Sequence, residues 1–344
     1  MFIHIIRGLT VGLTATALVG TAVALYAQDW VTALFGACAL GMFASITRLL
    51  WTTSRRPGAM GAEPGPFHSL SGKLLLALLF GGFVVGGAVS VAVDALITAP
   101  TSGYGAAALG YGLYGFIALG LWDASRRHHV DFGRIRGVLP ERRVVVKSVT
   151  TVIPLLLFSY GTVWIIYYPL SVLAPELVEA LLLSDDIIAQ SADGTLALGP
   201  NVLTAVALIL VAPITEEVFF RGYLLHRWAV TWGVRSSVVA TTVVFASLHA
   251  DPLGALLFGF AMAVIYLKTR SLVLVITCHI LNNLLAYTIG VGSTVLFEEE
   301  TAYTVLEFQS EWWTAAIALA LSLPWAIRFV GRYWPDETWR LPYN

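Results

Sequence analysis

Charge is what this sequence has least of. Asp, Glu, Lys and Arg make up only 12% of its 344 residues while 58% are hydrophobic, whereas a soluble domain carries about 25% charged residues. That deficit excludes an ordinary soluble domain and points to an all-α polytopic membrane protein whose first partner is the lipid bilayer. Cysteine is nearly missing as well. Cys38 and Cys278 lie far apart, each inside an apolar run, so neither a disulfide framework nor a thiolate metal cluster is supported. No internal repeat or low-complexity tract stands out, the net charge of −1 is uninformative alone, and no nucleic-acid partner is expected.

What the sequence has in quantity is apolar length. Crossing ~30 Å of hydrocarbon takes about 20 residues, and about ten transmembrane helices are expected, at roughly 8–27, 30–50, 73–98, 105–122, 148–173, 201–228, 236–250, 252–267, 271–290 and 312–331. The seventh and eighth are short for a full span. Asp251-Pro252 marks the break between them, because proline disfavours helix in the residue before it. The first segment, with Arg7 ahead of its apolar core and Ala22-Val23-Ala24 near its end, also fits a signal peptide. An uncleaved helix is the favoured reading, since the apolar stretch exceeds the usual ~7–15-residue core. Gly82 and Gly86 form a GxxxG pattern, expected to serve close helix packing.

Loop charges orient the chain. Arg126, Arg127, Arg134, Arg136, Arg142, Arg143 and Lys147 crowd one loop and Arg55 and Arg56 another, which the positive-inside rule places in the cytoplasm. Glu176, Glu179, Asp185, Asp186 and Asp193, then Glu298, Glu299, Glu300, Glu307 and Glu311, occupy two loops that alternate to the outside. Arg227, Arg235, Lys268, Arg270, Arg328 and Arg332 fall inside. A multi-pass protein of the cell membrane with both termini cytoplasmic is expected. Its organisation reads as N-terminal transmembrane helices of unassigned role (1–200), a core (201–290), and an external acidic loop, last transmembrane helix and cytoplasmic tail (291–344).

Glu216, Glu217 and Arg221 interrupt the apolar run that begins near Val202. A carboxylate in hydrocarbon costs roughly 2.5–3.5 kcal/mol on insertion scales, so such residues normally face a protein interior or a watery cavity and mark a functional site. Residues four apart share a helix face. Glu217 is therefore expected to pair with Arg221, leaving Glu216, about 100° away, as the carboxylate free for chemistry. His249 ends the run Phe245-Ala246-Ser247-Leu248-His249, and His279 and Asn283 share a face of a later helix. Singly these are weak signals, since a lone intramembrane His or Asn is usually interhelical glue. Together they form a set of titratable groups able to converge in one cavity, which is the pattern of a catalytic site.

The chemistry open to such a set is hydrolysis, with Glu216 as general base. His249 and His279, with Asn283 as an oxygen ligand and Glu216 as a further possible one, are able to hold a divalent metal such as zinc. Alternatively, without metal, the histidines donate hydrogen bonds to an oxyanion. Both routes stand open at this point.

Glu216-Glu217-x-x-x-Arg221, Phe245-x-x-x-His249 and His279-x-x-x-Asn283, in that order on successive helices, resemble the three signature motifs of the CPBP family. That family comprises type II CAAX prenyl proteases and bacteriocin-processing enzymes and is also called Abi. The resemblance covers 201–290 and implies an intramembrane endopeptidase, commonly described as a metalloprotease. It implies that Glu216, His249, His279 and Asn283 are catalytic, with Glu217, Arg221 and Phe245 in supporting positions, and that the substrate is a membrane-associated or lipidated peptide or protein. No HExxH, GxGD or GxSG motif argues for another intramembrane protease class. The rival readings are a non-catalytic immunity or scaffold protein and, less favoured, a transporter. The complete Glu/His/His/Asn set is a feature neither rival requires.

The charge pattern makes a direct topological prediction. A reporter fused after Arg136 is expected in the cytoplasm and one inserted near Asp186 outside, and swapped results would overturn the orientation.

Overall fold

The computed structural model describes residues 65–96, 104–183, 189, 197–296, 303–336 and 338–343. The expected helices at 8–27 and 30–50, and the choice between leader and anchor, lie outside the described residues. So do Arg55, Arg56 and most of the acidic loop residues.

Every regular element among the described residues is helical. Seven helices are long and apolar enough to cross a membrane: α1 (Gly72–Leu96), α2 (Tyr104–His128), α3 (Arg142–Leu173), α4 (Leu198–Ala246), α5 (Pro252–Thr269), α6 (Leu272–Leu296) and α7 (Trp312–Tyr333). The count differs from sequence expectation partly because α4 joins two expected spans. At 49 residues and 1.5 Å per residue it would run more than twice the hydrocarbon thickness if straight. It does not run straight. Gly233, with φ 78° and ψ 163°, is non-helical and divides α4 into arms at 198–232 and 234–246, matching the two segments read from sequence. Positive φ is what glycine permits at little cost.

The bundle is a membrane bundle by its surface. Side chains such as Ile153, Ile165, Ile317, Leu321 and Ile327 are each more than half exposed, a distribution suited to lipid contact and costly in water. α5 is the central helix: 72% of its apolar window is buried inside the protein, against 22–44% in the others. It packs on the second arm of α4 and on α3, and α7 packs along α3. Charge segregates by end. Arg134 lies over Tyr343, Lys147 and Lys268 approach Tyr333, and Arg235 lies over Trp334. These contacts gather the basic residues of several loops at one end of the bundle. The acidic segment Val305–Ser310 packs instead beside the far end of α3, where Trp164 donates to the Phe308 carbonyl.

Asp251, read from sequence only as half of a break, fastens the turn between α4 and α5. Its carboxylate accepts from the Gly254 amide at 3.0 Å, capping α5, and from Ser159 and Thr162 of α3 at 2.6 and 3.0 Å. Tyr167 of α3 adds a bond to the Ala250 carbonyl. The GxxxG pattern also finds its role. Gly86 packs on α2 so closely that a Cβ there would sit 2.6 Å from the Leu109 carbonyl, and one on Gly112 would sit 3.0 Å from the Gly86 Cα. The glycines hold α1 against α2 within one chain. Gly86→Leu is expected to force these helices apart and to destabilise the protein by about 1–3 kcal/mol, measurable as a lower Tm in detergent or nanodiscs. An unchanged Tm would show that α1 and α2 do not need this contact.

Candidate active site

The site begins with a defect in α4. Wide π-helical turns at Ala207–Val211 and Val218–Leu224 flank the short α-helical stretch Ala212–Glu217, and such turns are frequent at functional sites. The Ala212 amide bonds back to the Ala207 carbonyl, five residues away. In that register the Leu208 carbonyl faces position 213, where Pro213 has no N–H to give. Asn283 of α6 fills the gap, its Nδ2 donating to the Leu208 oxygen at 2.8 Å. Proline in α4 thus creates the acceptor that fixes the asparagine.

Glu217 is wholly buried. Its Oε1 accepts from Arg221 Nη1 at 2.9 Å, the pair expected from the i, i+4 spacing, and also from His279 Nδ1 at 2.8 Å. The second bond was not legible from helix geometry because His279 stands on α6. Arg221 spends its other nitrogen, Nη2, on the Gly259 carbonyl at 2.8 Å, and its guanidinium lies 4.9 Å from the centre of the Phe245 ring. Gly259 has no side chain to block that approach, since a Cβ would sit 3.2 Å from Phe245 and 3.6 Å from Arg221. Phe245 in turn lies 4.4 Å from the His249 ring.

Both histidines have their tautomer set by these contacts. His249 Nδ1 sits 2.8 Å from the Phe245 carbonyl, which only accepts, so Nδ1 carries the proton. His279 Nδ1 faces Glu217 Oε1, the oxygen that already accepts from Arg221, with the same result. In the neutral rings Nε2 is left as a lone pair. Glu216 stands apart from the ion pair, as its helical position implied. Its Oε2 is 3.9 Å from His279 Nε2, and its Oε1 accepts from the Tyr114 hydroxyl of α2 at 2.6 Å. Tyr114 was missed in the sequence, where one tyrosine among the aromatics of an apolar helix gives no signal.

Glu216, His249, His279, Asn283, Tyr114 and Phe245 line one cavity of about 770 Å³. Leu79, Phe83, Leu113 and Ile117 supply part of an apolar wall from α1 and α2. The expected convergence of one Glu, two His and one Asn is therefore present as geometry. Glu217 and Arg221 sit behind the wall. A further buried histidine, His226, stays out of it: its Nδ1 donates to the Arg221 carbonyl at 3.0 Å and its ring stacks on Phe67.

Residues 198–285 match the family model described as type II CAAX prenyl endopeptidase Rce1-like. This segment is similar to the CAAX protease family. It covers about a quarter of the chain and contains every motif residue of the site. No curated protein and no solved structure matches the chain significantly. The match supports intramembrane endopeptidase activity as a general class, with a peptide or protein as substrate. Tyr114 lies outside the CAAX protease segment.

For a metal, the residues offer two backed imidazoles: ligating histidines commonly donate their other nitrogen to a carboxylate or carbonyl, as both do here. The ligand count is short. Among the described residues no group of three or more His, Cys, Asp or Glu side chains is placed to hold a metal ion, whereas catalytic zinc takes three protein ligands.

Because one oxygen of Glu217 holds both Arg221 and His279, Glu217→Gln is expected to reduce folded yield and also to lower kcat by about 10- to 100-fold, the usual cost of removing a group that orients a site histidine. Full activity per folded molecule would show that His279 keeps its place without the carboxylate.

Proposed function

We propose that the protein is an intramembrane endopeptidase that hydrolyses a peptide bond of a membrane-associated or lipidated substrate, with Glu216 activating the water. The observation that carries this reading is the convergence of Glu216, His249, His279 and Asn283 on one cavity, with Glu216 Oε2 turned toward His279 Nε2. Glu216 Oε2 accepts a proton from water as the water oxygen bonds to the scissile carbonyl carbon. The C–N bond then breaks, and the same proton passes from Glu216 to the departing amine. The oxyanion needs donors. Asn283 gives one N–H to Leu208 and retains a second, while His249 and His279, with Nδ1 already protonated, donate through Nε2 only as imidazolium cations. The apolar wall from α1 and α2 supports a substrate that arrives from the bilayer or carries a lipid.

A divalent ion is the second form of the same reading. The two Nε2 lone pairs favour it, and His249, His279 and Asn283, with Glu216 as a further candidate, would hold it. Such an ion polarises a carbonyl and lowers the pKa of bound water.

The test uses purified full-length protein in nanodiscs with a fluorogenic lipidated peptide. Glu216→Gln is expected to lower turnover by about 10²–10⁴-fold at unchanged folded yield. Equal turnover in parent and variant would remove Glu216 as the base, and none in the parent would favour a scaffold or a transporter. In the same preparation, activity lost to a membrane-permeable chelator and restored by about one equivalent of zinc, with metal content followed by mass spectrometry, would establish the ion. Full activity of metal-free protein would exclude it.

A further inference from the structure

Tyr114 touches the reacting carboxylate yet comes from a helix outside the CAAX protease segment. Its hydroxyl sits 2.6 Å from Glu216 Oε1, and a phenol facing a carboxylate is the donor. The bond divides the two oxygens of Glu216. Oε1 is occupied, whereas Oε2 is turned to His279 Nε2 at 3.9 Å and to the cavity. A carboxylate held at one oxygen cannot rotate freely about its last bond. Without the phenol, either oxygen is free to face the cavity, and the geometry toward His279 is no longer unique.

Tyr114 is itself held firmly. α2 is drawn onto α1 by the close approach at Gly86 and Gly112. Three residues before Tyr114, on the same face of α2, the Tyr111 hydroxyl donates to the Leu203 carbonyl of α4 at 3.1 Å. Two tyrosines thus dock α2 on α4, one through backbone outside the cavity and one through the carboxylate inside it.

We propose that Tyr114 is a positioning residue of the hydrolytic site: it fixes the Glu216 carboxylate so that Oε2 alone faces the substrate water. The proposal rests on the reading of Glu216 as base. It also assigns a role to α2, a helix to which the family motifs give none. Positioning of this kind acts on turnover more than on binding, because misplacement of a reacting group by about 1 Å is able to cost about 10²-fold.

The experiment compares Tyr114→Phe with Tyr111→Phe in the full-length protein in nanodiscs. Tyr114→Phe is expected to lower kcat by about 10- to 100-fold with KM within about twofold, while Tyr111→Phe keeps both near the parent values. The kcat-against-KM split separates positioning from a merely structural role, and the second readout tests the contact itself: the carboxylate stretch of Glu216 isolated by infrared difference against Glu216→Gln. Tyr114→Phe should shift that band upward and Tyr111→Phe should leave it in place. If Tyr114→Phe folds poorly, 3-fluorotyrosine at position 114 keeps the ring, strengthens the donor and should shift the band the opposite way. Parent-like kcat in Tyr114→Phe, an equal loss in Tyr111→Phe, or an unmoved band would overturn the proposal. Should Glu216→Gln retain full activity, the base reading fails, and the infrared band still reports separately whether Tyr114 holds Glu216.

Discussion

One buried carboxylate oxygen ties together the helices that carry the site. Glu217 Oε1 receives both Arg221 and His279, and Arg221 continues to the Gly259 carbonyl and the Phe245 ring. That single centre ties both arms of α4, α5 and α6. An isolated charge in such a place is untenable, and breaking a buried pair costs roughly 3–5 kcal/mol because it strands the partner. The contact constrains more than stability: Glu217 Oε1, shared with Arg221, accepts from His279 Nδ1 and so sets the tautomer that decides what the cavity-facing nitrogen is able to do.

The adjacent glutamates divide the labour through rotation alone. One residue along a helix turns the side chain by about 100°, enough to send Glu217 into the packed interior and Glu216 to the cavity. The π-helical turns on either side have a second effect. They leave the Leu208 carbonyl opposite Pro213, so that the amide of Asn283 finds an acceptor that a regular helix would have used.

Much of this was legible in the sequence, and the limits have physical causes. The Glu217–Arg221 pair follows from spacing on one helix, and the convergence of Glu216, His249, His279 and Asn283 followed from ordered motifs. The break at Gly233 fell between two spans read as separate, although α4 carries both. What spacing does not encode is contact between helices. His279 on Glu217, Asn283 on Leu208 and Tyr114 on Glu216 join residues 62, 75 and 102 positions apart, and no local period reports such pairs. Pro213 was visible throughout, but its meaning lies in the carbonyl it leaves free. The count of about ten spans rested on two N-terminal segments beyond the described residues.

Asp251 has a consequence for how defects in this protein would present themselves. The turn that carries His249 is secured from outside, by Ser159 and Thr162 on the Asp251 carboxylate and by Tyr167 on Ala250. A histidine at the mouth of a turn would otherwise wander with it. Its coordinates are inherited from α3, a helix with no motif residue, about 90 residues upstream. Loss of a hydroxyl on α3 would therefore reach His249 through the turn, although nothing near it in sequence suggests a site.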